Sequence, residues 1–157
     1  MPSSVRTIAL TAEAIPAGPP TLSLFDVRCW VDGNQAELRD RSPASASIDL
    51  VCGQAAVALS PLGPDATEPL LTVSAAFLLG RAGKALVHAA AVVDQAGRAW
   101  LLVGDSHAGK SSATATLLLG GWEYLSDDQV VVERRGEVLW AEGWRRAFNL
   151  DEGWSGG

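Results

Sequence analysis

Residue types that mark a disulfide scaffold or a nucleic-acid-binding surface are scarce in this chain. Two of its 157 residues are cysteines, Cys29 and Cys52, and their spacing is not that of a metal site, so we expect free, buried thiols. Lys and Arg number 12 against 18 Asp and Glu, a net charge of −6, which argues against a nucleic-acid partner. With 48% hydrophobic residues, the chain is predicted to form one domain with a core.

Long hydrophobic runs are also missing from the sequence. The longest, residues 70–79, contains Thr72 and Ser74 and is too short for a helix that spans a bilayer. The first residues lack the basic start and the apolar block of a signal peptide. We therefore expect a cytoplasmic protein without a membrane partner.

The sequence does contain one complete phosphate-binding pattern. Residues 104–111, GDSHAGKS, fit G-x-x-x-x-G-K-[ST] without a gap. The two glycines let the backbone turn so that several N–H groups and a helix N-terminus face one phosphate. Lys110 would reach the terminal phosphates, and Ser111 would offer its hydroxyl to the Mg²⁺ that accompanies a nucleotide. The candidate nucleotide-binding residues are Gly104, Asp105, Ser106, His107, Ala108, Gly109, Lys110, Ser111 and Ser112.

The flanking sequence supplies the strand and the helix that such a loop joins. Residues 98–103 predict a strand, and residues 111–119 predict a helix that stops at Gly120-Gly121. Upstream, residues 85–93 are apolar on both faces, which predicts a central strand. Because residues 94–97 make a turn of hairpin length, we expect the two strands to be antiparallel.

The rest of the sequence predicts one further helix and several short strands. A capping-box pattern, with acceptor side chains at Asp65 and Glu68, opens a helix that is apolar all round and is therefore expected to be buried. Strands are predicted at residues 5–10, 22–31, 48–52, 55–59, 122–126, 129–133 and 137–140, with a turn at 134–136. We predict a single domain over residues 1–157, with a mostly β part at 1–62, a core at 63–152 and a tail at 153–157.

Two adjacent aspartates form the second candidate site. Between the loop and Asp127-Asp128 there is room for one helix and one strand, so the pair can return to the phosphates. Two useful carboxylates require the strand to end or bend there, since neighbouring strand residues point to opposite faces. One carboxylate could then hold Mg²⁺ while the other accepts a proton from an attacking hydroxyl; the alternative is an acidic turn. His88 lies within the predicted central strand, either as a core residue or as part of a site.

Residues 86–132 resemble the HPr kinase/phosphorylases and the wider group of HPr-kinase-like proteins, which share a phosphoenolpyruvate-carboxykinase-like P-loop core. The resemblance begins with Val87-His88-Ala89 before a short hairpin. It continues with Asp105-Ser106 after the first glycine of the loop and ends with Leu125-Ser126-Asp127-Asp128 after the helix. These residues make up under a third of the chain.

The resemblance implies an α/β fold in which a mixed sheet packs with the P-loop helix. It also implies ATP and Mg²⁺ at residues 104–111, an aspartate of the pair as the base that deprotonates a protein serine, and His88 close to that aspartate. The candidate catalytic residues are therefore Asp127, Asp128, Lys110 and His88, and the candidate Mg²⁺ ligands are Ser111, Asp127 and Asp128. Which aspartate is the base and which serves the metal stays open at this point.

The sequence departs from this family at three points. His107 stands where the family has glycine, Ser112 replaces a glutamate, and the downstream glycine-containing signature has no counterpart before Gly157. We therefore expect a looser relative, a kinase that transfers the γ-phosphate of ATP to a serine of some other protein or peptide. The alternatives are a nucleotide-binding or scaffolding module with little catalysis, and a small-molecule kinase or general P-loop NTPase.

Overall fold

The structure is a computed structural model that describes residues 18–60, 67–105 and 107–144. It divides the chain into two compact units, Met1–Ala82 and Gly83–Gly157, so a single domain over the whole chain stays a prediction. The predicted strand at 5–10 and the tail at 153–157 lie outside the described residues. The described strands and helices are β1 Leu22–Leu24, β2 Val27–Asp32, β3 Gln35–Arg39, β4 Ser45–Asp49, β5 Gln54–Ala58, α1 Glu68–Arg81, β6 Lys84–His88, β7 Ala90–Val93, β8 Ala99–Leu102, α2 Lys110–Leu119, β9 Glu123–Ser126, β10 Gln129–Arg135 and β11 Val138–Gly143.

The fold contains both helices and strands, and every strand pair that the structure describes is antiparallel. Sheet 1 has the order β1-β2-β3-β4-β5, sheet 2 the order β11-β10-β6, and sheet 3 the order β8-β7-β9. The predicted mixed sheet is therefore wrong for the described residues. Tight turns connect most of the neighbouring strands, and short turns join strands only in the antiparallel sense.

Sheet 1 and α1 belong to the first unit and share its hydrophobic core. Leu38, Ile48 and Leu70 are fully buried there, and burying each such side chain contributes about 1.5–3 kcal/mol. The predicted strand at 22–31 is interrupted because Phe25 and Asp26 adopt φ values of 50° and 64° and form the turn between β1 and β2.

Two further strand predictions for sheet 1 need correction. The strand expected at 48–52 is β4, which lies three residues earlier, because the Asp49 carboxylate accepts hydrogen bonds from the amides of Val51 and Cys52 and closes a turn there. Cys52 is consequently exposed, whereas Cys29 is buried as expected; both thiols are free. β3 is not among the predicted strands; in it, Ala36 and Leu38 alternate with more exposed polar residues.

The first helix begins later than the capping box predicted. Thr67 is the N-cap, and its hydroxyl accepts a hydrogen bond from the Ser60 amide instead of capping the helix. Glu68 is thus the first helical residue, and Asp65 lies outside the described residues. Leu71 is 46% exposed, so the prediction of a helix buried all round is wrong. None of the described helices is long and apolar enough to cross a membrane.

Sheet 3 and α2 in the second unit carry the phosphate-loop sequence. The predicted hairpin is confirmed, since β7 pairs antiparallel with β8 across the turn at 94–97. α2 packs against β7 and β9. It ends in a Schellman motif in which the Gly121 and Trp122 amides donate to Leu118 O and Leu117 O. The positive φ of Gly121, 85°, is the reason this stop signal needs glycine.

The single central strand predicted at residues 85–93 is divided between sheet 2 and sheet 3. Residues 85–93 divide at Ala89 into β6, which pairs with β10, and β7, which pairs with β8 and β9. The Ala89 amide donates instead to Asp128 O, 3.0 Å away, so the chain changes sheets there. β10 extends to Arg135, beyond the predicted end at residue 133. The turn predicted at 134–136 is therefore formed by Gly136 and Glu137.

Candidate functional site

The strand register of sheet 3 brings the two candidate motifs to the same end of the sheet. Ala91 of the central strand lies opposite Leu101 of β8 and opposite Ser126 of β9. Both outer strands therefore run in the same direction and leave the sheet at this end, one into residues 103–109 and the other into Asp127-Asp128. With strands about 4.8 Å apart, the two exit points are separated by about 10 Å. We call this end of sheet 3 the loop end, and the end that carries the turn at 94–97 the turn end.

In the candidate loop, the side chain of Lys110 contacts the backbone at the loop entrance. Its ammonium donates to Gly104 O at 2.9 Å and to Asp105 O at 3.0 Å. His107 and Gly109 adopt positive φ values of 63° and 88°. Histidine is strained in this region, though less than a β-branched residue. A Cβ on Gly104 would lie 3.2 Å from the Ala108 Cβ, so a larger residue at this position would require a small shift of the loop.

The N-terminus of α2 lacks the features that usually satisfy a helix start. In the described part of the chain no side chain caps it, and its first turn has no acidic residue. By contrast, α1 carries Glu68 and a proline in its first turn. The first amides of a helix have no intrahelical partner and carry partial positive charge, so the start of α2 suits an anion.

The bend between β9 and β10 is fixed by three hydrogen bonds. The buried hydroxyl of Ser126 donates to Gln129 O at 2.7 Å and accepts from the Gln129 amide at 3.3 Å. Asp128 O accepts from the Ala89 amide. Asp127 and Asp128 therefore lie outside both strands, so their carboxylates are not forced to opposite faces of a sheet. Hydrogen bonds from Ser126 and from Ala89 stabilise the bend that they occupy.

His88 meets Asp128 at this bend. Its Nδ1 lies 3.0 Å from Asp128 Oδ1, with 43% and 32% of the two side chains exposed. The contact follows from the register, since His88 of β6 lies opposite Gln129, the residue after Asp128. A contact this exposed adds little to stability, so its main effect is to orient the carboxylate and the imidazole toward each other.

Asp127 has a different partner, Tyr124, which is not among the predicted site residues. The Tyr124 hydroxyl donates to Asp127 Oδ1 at 3.0 Å. Burial raises the pKa of Tyr124 to about 12, and its hydrogen bond to Asp127 acts in the same direction. The phenol therefore stays a neutral hydrogen-bond donor at physiological pH.

A β-bulge positions Tyr124 for this contact. Ser126 and Tyr124 lie opposite consecutive residues of β7, so Leu125 between them has no opposite residue. Bulges increase the local twist of a strand and re-aim its side chains. The backbone of Gly143 in β11 packs so closely against the Leu125 carbonyl that a Cβ there would collide with it. No sequence signal predicts the bulge, because it depends on the pairing of β9 with β7.

The predicted residues thus fall into two groups at the loop end. Of the loop residues, Asp105, His107, Ala108, Gly109 and Ser112 are exposed, whereas Gly104, Lys110 and Ser111 are half-buried. Ser106 lies outside the described residues. His88, Asp127 and Asp128 form the second group, which Tyr124 joins. Among the described residues, no three or more His, Cys, Asp or Glu side chains lie close enough to hold a metal ion by themselves.

Comparison of the chain with protein-family models, with curated proteins and with solved structures gives no match.

Proposed function

We propose that this protein is an ATP-dependent kinase with an HPr-kinase-like P-loop core, which transfers the γ-phosphate to a serine hydroxyl of a protein or peptide. One observation carries the proposal: the phosphate-loop sequence and the aspartate pair leave sheet 3 at the same end, from strands on either side of β7. A kinase needs these two groups within reach of one phosphate, because phosphoryl transfer depends on positioning and on charge stabilisation.

The loop is suited to hold the phosphates of ATP. Its Lys110 ammonium lies among backbone carbonyls at the loop entrance, where it can turn from them to phosphate oxygens, which are stronger acceptors because they are charged. The uncapped start of α2 provides backbone amides for the same anion. Residues 104–112 would thus bind the nucleotide mainly through the backbone and through one charge.

The residues at the loop end also fit Mg²⁺. This ion takes oxygen ligands and is usually bound through one or two carboxylates together with substrate phosphates. The Ser111 hydroxyl and the Asp127 carboxylate supply such oxygens, and Asp127 is held by the neutral donor Tyr124. When bound, Mg²⁺ would neutralise the charge that develops on the phosphate oxygens.

Asp128 is the base in this proposal, and His88 orients it. Asp128 takes the proton of the acceptor hydroxyl while the hydroxyl oxygen bonds to the γ-phosphorus and the bond from the γ-phosphorus to the bridging oxygen breaks, releasing ADP. A base has to be fixed within hydrogen-bond reach of that proton. The contact between His88 and Asp128 and the hydrogen bond from the Ala89 amide to Asp128 O provide such fixation.

Substitution of Lys110 tests nucleotide binding, the part of the proposal on which the rest depends. K110A should weaken the affinity for Mg²⁺-ATP by about 10- to 100-fold, the value of a hydrogen bond to a charged group. The matched control is K84A, which removes a lysine that pairs with Glu133 on sheet 2 and should leave the affinity unchanged.

Both affinities are measured by calorimetric titration of Mg²⁺-ATP, and circular dichroism checks that each variant is folded. Unchanged binding by folded K110A would contradict the proposed function. Equal losses in K110A and K84A would contradict the assignment of the nucleotide to the loop.

A further inference from the structure

We propose that Tyr124 is a positioning residue of the magnesium site, where its hydroxyl orients the Asp127 carboxylate for the metal. This inference deepens the proposed function and rests on it. The Tyr124 hydroxyl lies 3.0 Å from Asp127 Oδ1, at the end of sheet 3 from which the phosphate loop also leaves.

The place of Tyr124 in the fold is what makes this contact possible. In a regular strand, a side chain three residues before Asp127 would point to the opposite face. The bulge at Leu125 disrupts this alternation and lets the Tyr124 hydroxyl reach Asp127 at the bend. The backbone of Gly143 packs against the bulged residue and leaves no room for a Cβ. The bulge is thus the local feature that sets the direction of the Tyr124 side chain.

The chemistry of the contact suits an outer partner of a metal ligand. Carboxylates that bind a metal are themselves hydrogen-bonded, and such partners fix the direction of the ligand oxygens. A phenol donates one hydrogen bond without adding charge, so it orients Asp127 and leaves its negative charge for the cation. A lysine in the same place would compete with Mg²⁺.

Trp100 in the same sheet provides a matched control for Tyr124, because it too is an aromatic side chain that donates a hydrogen bond to a carboxylate. Trp100 of β8 and Tyr124 of β9 lie opposite the same residue, Val92. The Trp100 indole N–H donates to Asp94 Oδ2 at 3.0 Å, at the turn end. Phenylalanine in either position removes the donor and keeps an aromatic ring.

The experiment compares the 157-residue wild type with its Y124F and W100F variants. Mn²⁺ is used as a paramagnetic substitute for Mg²⁺. Its affinity is measured by electron paramagnetic resonance in the presence of ATP. Y124F should weaken Mn²⁺ binding by about 10- to 100-fold, the usual effect of losing an outer partner of a metal ligand. W100F should bind as the wild type does. Where phosphoryl transfer is measured, Y124F should raise the Mg²⁺ concentration required for half-maximal rate more than it lowers kcat at saturating Mg²⁺.

The outcomes separate this inference from the function on which it rests. Wild-type affinity for Mn²⁺ in folded Y124F would overturn the role of Tyr124 and leave the kinase proposal standing. Equal weakening in Y124F and W100F would overturn it as well, since a general loss of sheet stability would then be the cause. A wild-type chain that binds neither ATP nor Mn²⁺-ATP would overturn the proposed function and this inference together.

Discussion

The two ends of sheet 3 use aspartate in opposite ways. At the turn end, the Asp94 carboxylate accepts four hydrogen bonds from its own hairpin: from the amides of Ala96 and Arg98, the Arg98 guanidinium and the Trp100 indole. At the loop end, Asp127 and Asp128 are contacted by side chains from two different strands, Tyr124 of β9 and His88 of β6. The Asp94 side chain is 9% exposed, against 32% for Asp128.

This difference distinguishes a carboxylate that closes a turn from one that can act on a ligand. The hydrogen-bonding capacity of Asp94 is taken up within a few residues, which stabilises the hairpin. The aspartates of the loop end are contacted by side chains of β9 and β6, of which only His88 is distant in sequence, and they remain partly exposed. Orientation by a neighbouring side chain together with partial exposure is what a base or a metal ligand requires.

A large effect, specific to the loop end, should come from His88. H88A should lower kcat for phosphoryl transfer by about 10- to 100-fold, in the lower part of the range that a positioned acid or base contributes, because Asp128 then loses the group that orients it. ATP affinity should change little, since His88 belongs to neither the loop nor α2. Steady-state kinetics and calorimetric titration of ATP measure the two quantities, and a loss of ATP affinity with unchanged kcat would contradict the assigned role.

A smaller effect, confined to stability, should come from Asp94. Its hydrogen bonds, first those from the Arg98 amide and the Trp100 indole, lower the pKa of Asp94 from 3.8 to about 2. A lowered folded-state pKa stabilises the protein above pH 4, and this stabilisation is lost as the pH falls through about 2. D94A should therefore lower the urea midpoint of unfolding at pH 6 but have a much smaller effect near pH 2.

W100F, which removes one of the donors to Asp94, should give an intermediate loss at pH 6. Amide hydrogen exchange at Ala96 and Arg98 reports the same turn locally. If D94A lowers the urea midpoint equally at both pH values, the prediction that the charge of Asp94 stabilises the hairpin is contradicted.

The sequence predicted best the features that depend on neighbouring residues. The hairpin between β7 and β8, α2 with its glycine stop, and the bend at Asp127-Asp128 all follow from local turn and helix chemistry, and the structure confirms them. The failure that matters most for the site is non-local. The division of residues 85–93 at Ala89 depends on a hydrogen bond to Asp128 O, and hydrophobic periodicity carries no information on that partner.

The candidate site was likewise predictable in its residue types but not in its contacts. The loop pattern and the aspartate pair could be read from spacing alone, and the resemblance to HPr-kinase-like proteins implied that His88 lies near an aspartate. That the aspartate is Asp128 depends on the register of β6 with β10. The role of Tyr124 depends on a bulge that forms only when β9 pairs with β7. Strand register therefore determines which side chains complete the site.

The most direct test of the central claim compares D128N with D94N, one substitution at each end of sheet 3. Transfer of radiolabelled phosphate from ATP to a library of serine-containing peptides is measured together with ATP affinity. D128N should lower the transfer rate by at least about 100-fold and leave ATP affinity within about threefold, whereas D94N should change neither. Wild-type transfer by D128N, or no transfer by a wild type that binds ATP, would contradict the claim that the loop end of sheet 3 is a kinase active site.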